Sequence, residues 1–256
     1  MSADLSAIAE HLLDAQDHQH TAEQPSATNE LSAEDAYAVQ EELITRRLKR
    51  GEVIVGLKLG LTSKAKQEAM GVREPIFGVL TDAMQLKEGE PVPLTELIHA
   101  RVEPEIVYVL KDALKGPGVT KADVIAATGS VHVGLEVIDS RYADFSFTHA
   151  DVVSDNTSAA RFVLSERSLP TDCDLVAIPV TLEVDGEVKE QATGAAVMGD
   201  PTEAVALLAN WLGARGRQLD ADSIVLSGGM TNAHGLKAGS TIRAVFGDFD
   251  SISVSA

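Results

Sequence analysis

The chain has 256 residues, 45% of them hydrophobic, and a mean hydropathy near zero, enough to bury a sizeable core as one large domain or a domain with a smaller appendage. Its 39 acidic and 21 basic residues give a net charge of −18; such a surface repels nucleic acid and anionic membranes, so neither is an expected partner. A single cysteine, Cys173, excludes an internal disulfide, and the opening Met1-Ser2-Ala3-Asp4-Leu5 has neither the basic start nor the apolar run of a secretion signal, so a cytoplasmic protein without membrane spans is expected.

The first elements read as helical. Leu5, Ile8, Ala9, Leu12 and Leu13 recur at helical spacing, and a polar stretch from Gln16 to Asn29 reads as a loop. Ser32-Ala33-Glu34-Asp35 resembles a capping box that opens a helix with Ala36, Val39, Leu43 and Leu48 inward and Gly51 as its stop. Next, Val53 to Ser63 reads as a strand broken by glycines, leading into a short helix that Gly71 ends. Residues 1–76 are therefore expected to form an N-terminal helical or cap region. Lys58 lies inside that apolar strand, where an ammonium needs an anion or titrates low; a lysine snorkelling from an edge strand fits the position equally.

From Phe77 onward β signals dominate, which predicts a β-rich catalytic core over 77–256. Ile106–Leu110, Val131–Ile138, Val176–Val184, Ile224–Leu226 and Thr241–Phe246 are the predicted strands, and Asp185-Gly186 is a hairpin signal. Two helices interrupt them. One follows Thr120, with Asp123 closing its capping box. The other starts at Asp200-Pro201, buries Val205, Leu208, Ala209 and Leu212, and stops near Gly216. The fold class is α+β with a small helical N-terminal region.

Glu103 and Glu105, in Arg101-Val102-Glu103-Pro104-Glu105-Ile106, project to one face of an extended segment because strand side chains alternate. The apolar residues around them are those of a buried strand. If Glu136 of Leu135-Glu136-Val137-Ile138 joins them, three carboxylates cannot all stay ionised without a cation, and Mg2+ or Mn2+ suits such oxygens. The spacing alone fits a solvated strand face as well. Asp155-Asn156-Thr157-Ser158 reads as a loop that turn chemistry explains, and the glycines of Ser227-Gly228-Gly229-Met230-Thr231 either admit a ligand or simply turn the chain. His99 and His132 lack metal-like spacing. No phosphate-binding loop or nucleophile elbow occurs, and Asp172 and Asp174 beside Cys173 raise its pKa, so nucleotide chemistry and Ser or Cys nucleophiles are not expected.

Five segments in order carry a resemblance: Gly56 to Ser63, Arg101 to Ile106, Leu135 to Tyr142, Val153 to Ser158, and Ser227 to Thr231. Together they resemble the 2-oxo-acid hydratase and decarboxylase branch of the fumarylacetoacetate hydrolase superfamily across nearly the whole chain. The resemblance implies a mixed β-roll or sandwich core, a divalent metal, Mg2+ or Mn2+, on Glu103, Glu105 and Glu136, and Lys58 as an active-site lysine. Backbone groups around Val79 and Leu80 and the hydroxyls of Ser158 and Thr231 are candidates for substrate contacts.

Within that branch, hydratases carry an acid after the proline of a Pro-Asp-Phe/Tyr-Gly motif; this chain has Glu74-Pro75-Ile76-Phe77-Gly78, as the decarboxylases do. The segments Ile138 to Tyr142 and Gly229 to Thr231 also look more like the decarboxylases, whereas Asn232 to Leu236 departs from the family pattern. The resemblance thus implies metal-dependent decarboxylation of 2-oxo-3-hexenedioate to 2-hydroxypenta-2,4-dienoate and CO2, in the meta-cleavage catabolism of aromatic compounds. The alternatives are hydration of that dienoate, and, in another class, a catalytically silent scaffold. A homo-oligomer and a complex with the pathway hydratase are further expectations by family analogy.

Overall fold

A computed structural model describes residues 3–69, 72 and 74–256. Gly71, the expected helix stop, lies outside the described residues. The N-terminal helices form as their caps dictate. Asp4 caps α1 (Leu5–Asp17), and the Ser32 hydroxyl accepts from the Asp35 amide at 3.1 Å while the Asp35 carboxylate accepts from the Ser32 amide at 3.0 Å, opening α2 (Ala33–Lys49). The two pack through Ala9, Leu12, Ala15, Val39, Leu43 and Ile44. Leu48, expected inward, is 38% exposed. At about 100° per residue it lies roughly 120° round from Ala36. Arg47 falls on the inward stripe instead and is buried, its guanidinium donating to Glu52 at 2.9 Å and Gln16 at 3.1 Å.

The chain continues through β1 (Ile54–Gly60), α3 (Lys64–Ala69), β2 (Ile76–Thr81), β3 (Arg101–Leu110), α4 (Lys121–Ala127), β4 (Thr128–Ile138), α5 (His149–Ser154), β5 (Ala159–Ser168), β6 (Pro179–Val184) and β7 (Glu187–Thr193). It ends with α6 (Pro201–Gly213), β8 (Ile224–Leu226), β9 (His234–Gly235), β10 (Thr241–Phe246) and β11 (Asp250–Ser255). A seven-stranded mixed sheet has the order β2-β1-β8-β3-β4-β5, with β9 beside β3; β1 and β8 run parallel. A four-stranded sheet has the order β11-β10-β6-β7. This is the expected α+β class with two packed sheets.

Strand β1, which the sequence groups with the N-terminal helices, hydrogen-bonds to both β2 and β8 inside the large sheet. The helices serve that sheet's edge. α2 and α5 lie on β2, with Ala36, Ile76, Val152 and Val153 between them, and the Gln40 amide donates to Phe77 O at 2.9 Å and Val153 O at 3.0 Å. A covered edge offers no template for pairing with another chain.

Other boundaries moved for local reasons. β6 starts at Pro179, not Val176, because Asp174 holds the preceding turn by accepting from the amides of Val176 and Ala177. α6 ends at Gly213, short of Gly216, where Gly213 lies directly on the Gly116 backbone. The Asp185-Gly186 hairpin forms as predicted; both residues take positive φ (52° and 81°), as a tight two-residue connection between β6 and β7 requires.

Alternation assigns the two faces of the large sheet. Leu57, Leu59, Val102, Ile106, Leu135, Val137 and Val225 point to the main core, shared with Leu182, Ile242, Ala244 and Val254 of the small sheet and with Val205, Leu208 and Leu212 of α6. The intervening residues of β1, β3 and β4 include Lys58, Glu103, Glu105 and Glu136, so all four share the opposite face.

Candidate metal centre and active site

Register brings the carboxylates together. Glu103 on β3 stands directly opposite Glu136 on β4, and Glu105 follows two residues along, opposite Gly134. Each of the three offers an oxygen within 4.8 Å of the others, and each is buried, Glu105 and Glu136 completely. The solvated strand face is thereby ruled out. The Lys58 ammonium, itself 1% exposed, lies 2.9 Å from Glu136 Oε2 and donates to the Thr157 carbonyl at 3.2 Å. Lys58 is no snorkelling edge residue: β2 and β8 flank its strand, and its charge is enclosed.

Lys58 alone does not keep Glu105 and Glu136 in the ordinary carboxylate range. Burial, then repulsion from Glu136 and Glu103, pushes the Glu105 carboxyl well above the usual range, against the opposing pull of Lys58 and the Gly228 amide. Glu136 is also raised, by burial first, with Lys58 opposing. Glu105 Oε1 and Glu136 Oε1 have no hydrogen-bond partner among the described residues. Buried carboxylate oxygens left unpaired are destabilising unless something binds them. The three convergent carboxylates, with their hard oxygen donors, fit a divalent cation such as Mg2+ or Mn2+.

The glycine-rich segment after β8 explains how the triad is enclosed. Its backbone runs along β3 through Ser227 N to Ile106 O and Met230 N to Pro104 O, and the Gly228 amide donates to Glu105 Oε2 at 2.7 Å. A Cβ on Gly229 would sit 2.1 Å from Glu103 Oε2, and one on Gly228, whose φ is +116°, 2.3 Å from Thr62 Oγ1. These glycines leave room for the Glu103 and Thr62 side chains against the backbone, a closer approach than a residue with a Cβ allows. Gly229→Ala is expected to displace Glu103 and weaken divalent-metal affinity by about tenfold or more, measured by calorimetry, while the fold stays intact by circular dichroism.

The 155–158 segment is no surface loop; all four residues are buried. Asn156, Thr157 and Ser158 have φ of 47°, 55° and 57°. Three successive non-glycine residues in the left-handed region cost about 1–2 kcal/mol each, and Thr, being β-branched, is the least suited. The surrounding contacts enforce the turn. Arg141 pairs with the buried Asp155 carboxylate, and its Nη2 donates to Asp155 O at 2.7 Å; burial raises the Asp155 pKa to about 6, with Arg141 opposing. The Asp139 amide donates to Ser158 O, and the Asp139 carboxylate accepts from the amides of Ile98 and His99.

The remaining candidates divide. Ser158 Oγ is buried with no hydrogen-bond partner among the described residues. The Thr231 hydroxyl donates to Asn232 O at 2.9 Å and lines a cavity of about 190 Å³ with Ser63, Gln191, Gly229 and Asn232. Since Gly229 also abuts Glu103, that cavity adjoins the triad. The backbone groups of Val79 and Leu80, expected near the substrate, already have partners within the protein. The Val79 amide donates to Asn156 Oδ1 at 2.8 Å and the Val79 carbonyl accepts from Asn156 Nδ2 at 2.9 Å, while Leu80 pairs with Gly56 in the sheet. Both ring nitrogens of His132 are bonded, to Ser130 and Ser165. The Cys173 thiol is pushed up as expected, though burial outweighs Asp174 and Asp172. A larger cavity, of about 360 Å³ near Tyr108, Lys121 and Asp200, lies on the other face of β3 and holds none of the triad.

No family model matches the chain. The chain is 41% identical to the 4-oxalocrotonate decarboxylase of Pseudomonas sp. (strain CF600) over 251 residues, 96% of this chain and 94% of that protein. The chain belongs to the family of 4-oxalocrotonate decarboxylases and 2-keto-4-pentenoate hydratases. Another member, the 2-hydroxypent-2,4-dienoate hydratase of Pseudomonas putida, is 46% identical over 186 residues, 72% of this chain and 84% of that one. In three dimensions the chain matches the Pseudomonas putida G7 4-oxalocrotonate decarboxylase solved with magnesium and adipate, with a TM-score of 0.94, 41% identity, and coverage of 98% of this chain and 96% of that one. The Pseudomonas aeruginosa fumarylpyruvate hydrolase, 15% identical with a TM-score of 0.61 over 78% of this chain and 87% of that one, shares the fold alone. No helix among the described residues is long and apolar enough to cross a membrane.

Proposed function

We propose that this chain is a carboxy-lyase that converts 2-oxo-3-hexenedioate (4-oxalocrotonate) to 2-hydroxypenta-2,4-dienoate and CO2. The observation that carries the proposal is the buried Glu103, Glu105 and Glu136 triad beside Lys58 with no acidic group at position 76. In this substrate the leaving carboxylate lies one carbon beyond a double bond conjugated to the C2 ketone, so loss of CO2 moves an electron pair to the ketone oxygen. A Mg2+ or Mn2+ ion held by the three glutamates supplies Lewis acidity to the 2-oxo-acid end.

The protein's own residues supply the rest. The Lys58 ammonium, fixed between Glu136 and Thr157 O, offers a positive charge and a proton to the oxygen where charge develops. The Ser158 hydroxyl and the Thr231 side of the adjoining cavity are the substrate contacts in this reading. Ile76 is paired with Gly60, two residues along β1 from Lys58 and on the same sheet face, and is 2% exposed among Ala36, Val152 and Val153. Among the described residues, the Ala36, Val152 and Val153 side chains around it carry no group that handles a proton or a water, and an apolar wall favours departure of a carboxylate as neutral CO2.

The hydratase relative at 46% identity favours hydration of the dienoate as the second reading. Purified protein with Mg2+, offered each compound separately, distinguishes the two. CO2 release from 4-oxalocrotonate is the expected result; water addition to the dienoate with no CO2 released from the dioate overturns the proposal. The proposal extends to self-association and to a complex with the hydratase that takes up the unstable dienol, both checked by light scattering of the two proteins alone and mixed.

A further inference from the structure

The strained turn before β5 is strapped to the edge of the large sheet by one side chain. Strand β2 is the outermost strand, so Val79 turns a peptide N–H and C=O away from β1. The Asn156 carboxamide meets both, accepting at Oδ1 from Val79 N at 2.8 Å and donating from Nδ2 to Val79 O at 2.9 Å. A primary amide carries the same donor and acceptor pair as a peptide group and so replaces a missing strand at that point. Asn also tolerates left-handed backbone better than most residues, and its φ here is 47°.

The strap sets the position of the next residue. The Thr157 hydroxyl donates to Phe77 O at 2.9 Å, two residues back along the same strand. The Thr157 carbonyl is thereby held 3.2 Å from Lys58 Nζ. Space for the approach comes from two glycines. A Cβ on Gly78 would lie 2.8 Å from Asn156 O and 3.0 Å from Lys58 Cδ, and one on Gly60 would lie 2.8 Å from Thr157 Cγ2. The lysine side chain thus threads between β2 and the turn, and its ammonium is fixed on one side by Glu136 and on the other by a backbone carbonyl.

We propose that Asn156 is a positioning residue for Lys58: by strapping the 156–158 turn to Val79, it holds the Thr157 carbonyl that aims the Lys58 ammonium into the carboxylate cluster. Asn156 touches neither the triad nor Lys58 Nζ with its side chain, so it acts through the turn. The inference rests on the proposed role of Lys58 but not on which reaction is catalysed. It is tested on whichever 2-oxo acid the wild-type protein turns over, so a wrong choice between decarboxylation and hydration leaves it standing.

The variant is Asn156→Gly, which removes both bonds to Val79 yet suits left-handed backbone, so the turn is freed without added strain. Measured with Mg2+ present, kcat is expected to fall roughly 10- to 100-fold, while KM and the Mg2+ dissociation constant stay within about twofold, because the triad is carried by β3 and β4. A kcat within twofold of wild type overturns the proposal. So does a loss of kcat matched by an equal loss of Mg2+ affinity, which marks Asn156 as support for the whole site. Should Asn156→Gly fail to fold, Asn156→Asp carries the same test: it keeps the acceptor for the Val79 amide and sets a second oxygen against the Val79 carbonyl, with the same split between kcat and Mg2+ affinity expected.

Discussion

Glu105→Gln is expected to lower Mg2+ affinity about 100-fold or more and to lower turnover with it. Changes in residues that merely support a ligand already cost about 10- to 100-fold, and Glu105 is itself a ligand in the proposed metal centre. Its Oε2 is occupied by the Gly228 amide and its Oε1 is unpaired, so the variant removes the charge while conserving shape. The metal-free protein is expected to move the other way. Glu105 is the carboxyl most disfavoured by burial and by its two neighbours, and neutralising it relieves both, so the melting temperature without metal should rise.

The same group gives a pH dependence of definite sign. The folded-state pKa values of Glu105 and Glu136 are raised above the usual glutamate range. Their contribution to stability is fully present below the unfolded value and lost as pH rises through the folded values, because the folded state binds the extra protons there. Metal-free wild type is therefore expected to weaken from acid towards neutral and alkaline pH, and added Mg2+ to stabilise it more at pH 8 than at pH 5. In Glu105→Gln this slope should flatten. Unchanged Mg2+ affinity in that variant, measured by calorimetry, contradicts the metal assignment.

Lys58→Met is the second large effect. Methionine keeps most of the apolar stem and deletes the charge that lies 2.9 Å from Glu136. Breaking a buried pair leaves an uncompensated charge and costs about 3–5 kcal/mol, so the metal-free variant should lose stability at neutral pH, with part of the loss recovered when Mg2+ is added. Turnover is expected to fall roughly 10²- to 10⁴-fold, the usual range for a lost proton-transfer group. Activity within tenfold of wild type would remove Lys58 from the mechanism.

Much of this was legible in the sequence, for identifiable reasons. Capping boxes at Ser32 and Thr120 and the Asp185-Gly186 turn are local devices, and local chemistry decided them. Glu103 and Glu105 share a face by strand periodicity alone. Bringing in Glu136 required the β3 to β4 register, which no local pattern encodes; only the ordered family motifs supplied it. Strand β7, Glu187-Val188-Lys189-Glu190-Gln191-Ala192-Thr193, escaped because it is an exposed edge strand with a polar sequence, whereas β11 does alternate through Ile252 and Val254 and was missed within a serine-rich tail.

The burial of the turn at 155–158 is not legible in the sequence for a related reason. Asp, Asn, Thr and Ser are turn residues in water, and here the Asp155, Asn156 and Thr157 side chains are satisfied in the interior by Arg141, Val79 and Phe77. Likewise, nothing in the sequence showed that the Val79 backbone is occupied by a side chain 77 positions away. The motif from Asp139 to Tyr142 gave a family signal without a reason. The structure supplies one: Asp139 and Arg141 hold that turn, and the Tyr142 hydroxyl donates to Asp151 O at 3.0 Å.

The most direct test is the release of CO2 from 4-oxalocrotonate by wild-type protein before chelation, after removal of divalent ions, and after Mg2+ is returned. Release that stops on stripping and recovers with Mg2+, in step with one bound ion per chain, is the expected result. Release that continues undiminished in the stripped protein contradicts a role for the glutamate triad as a metal centre.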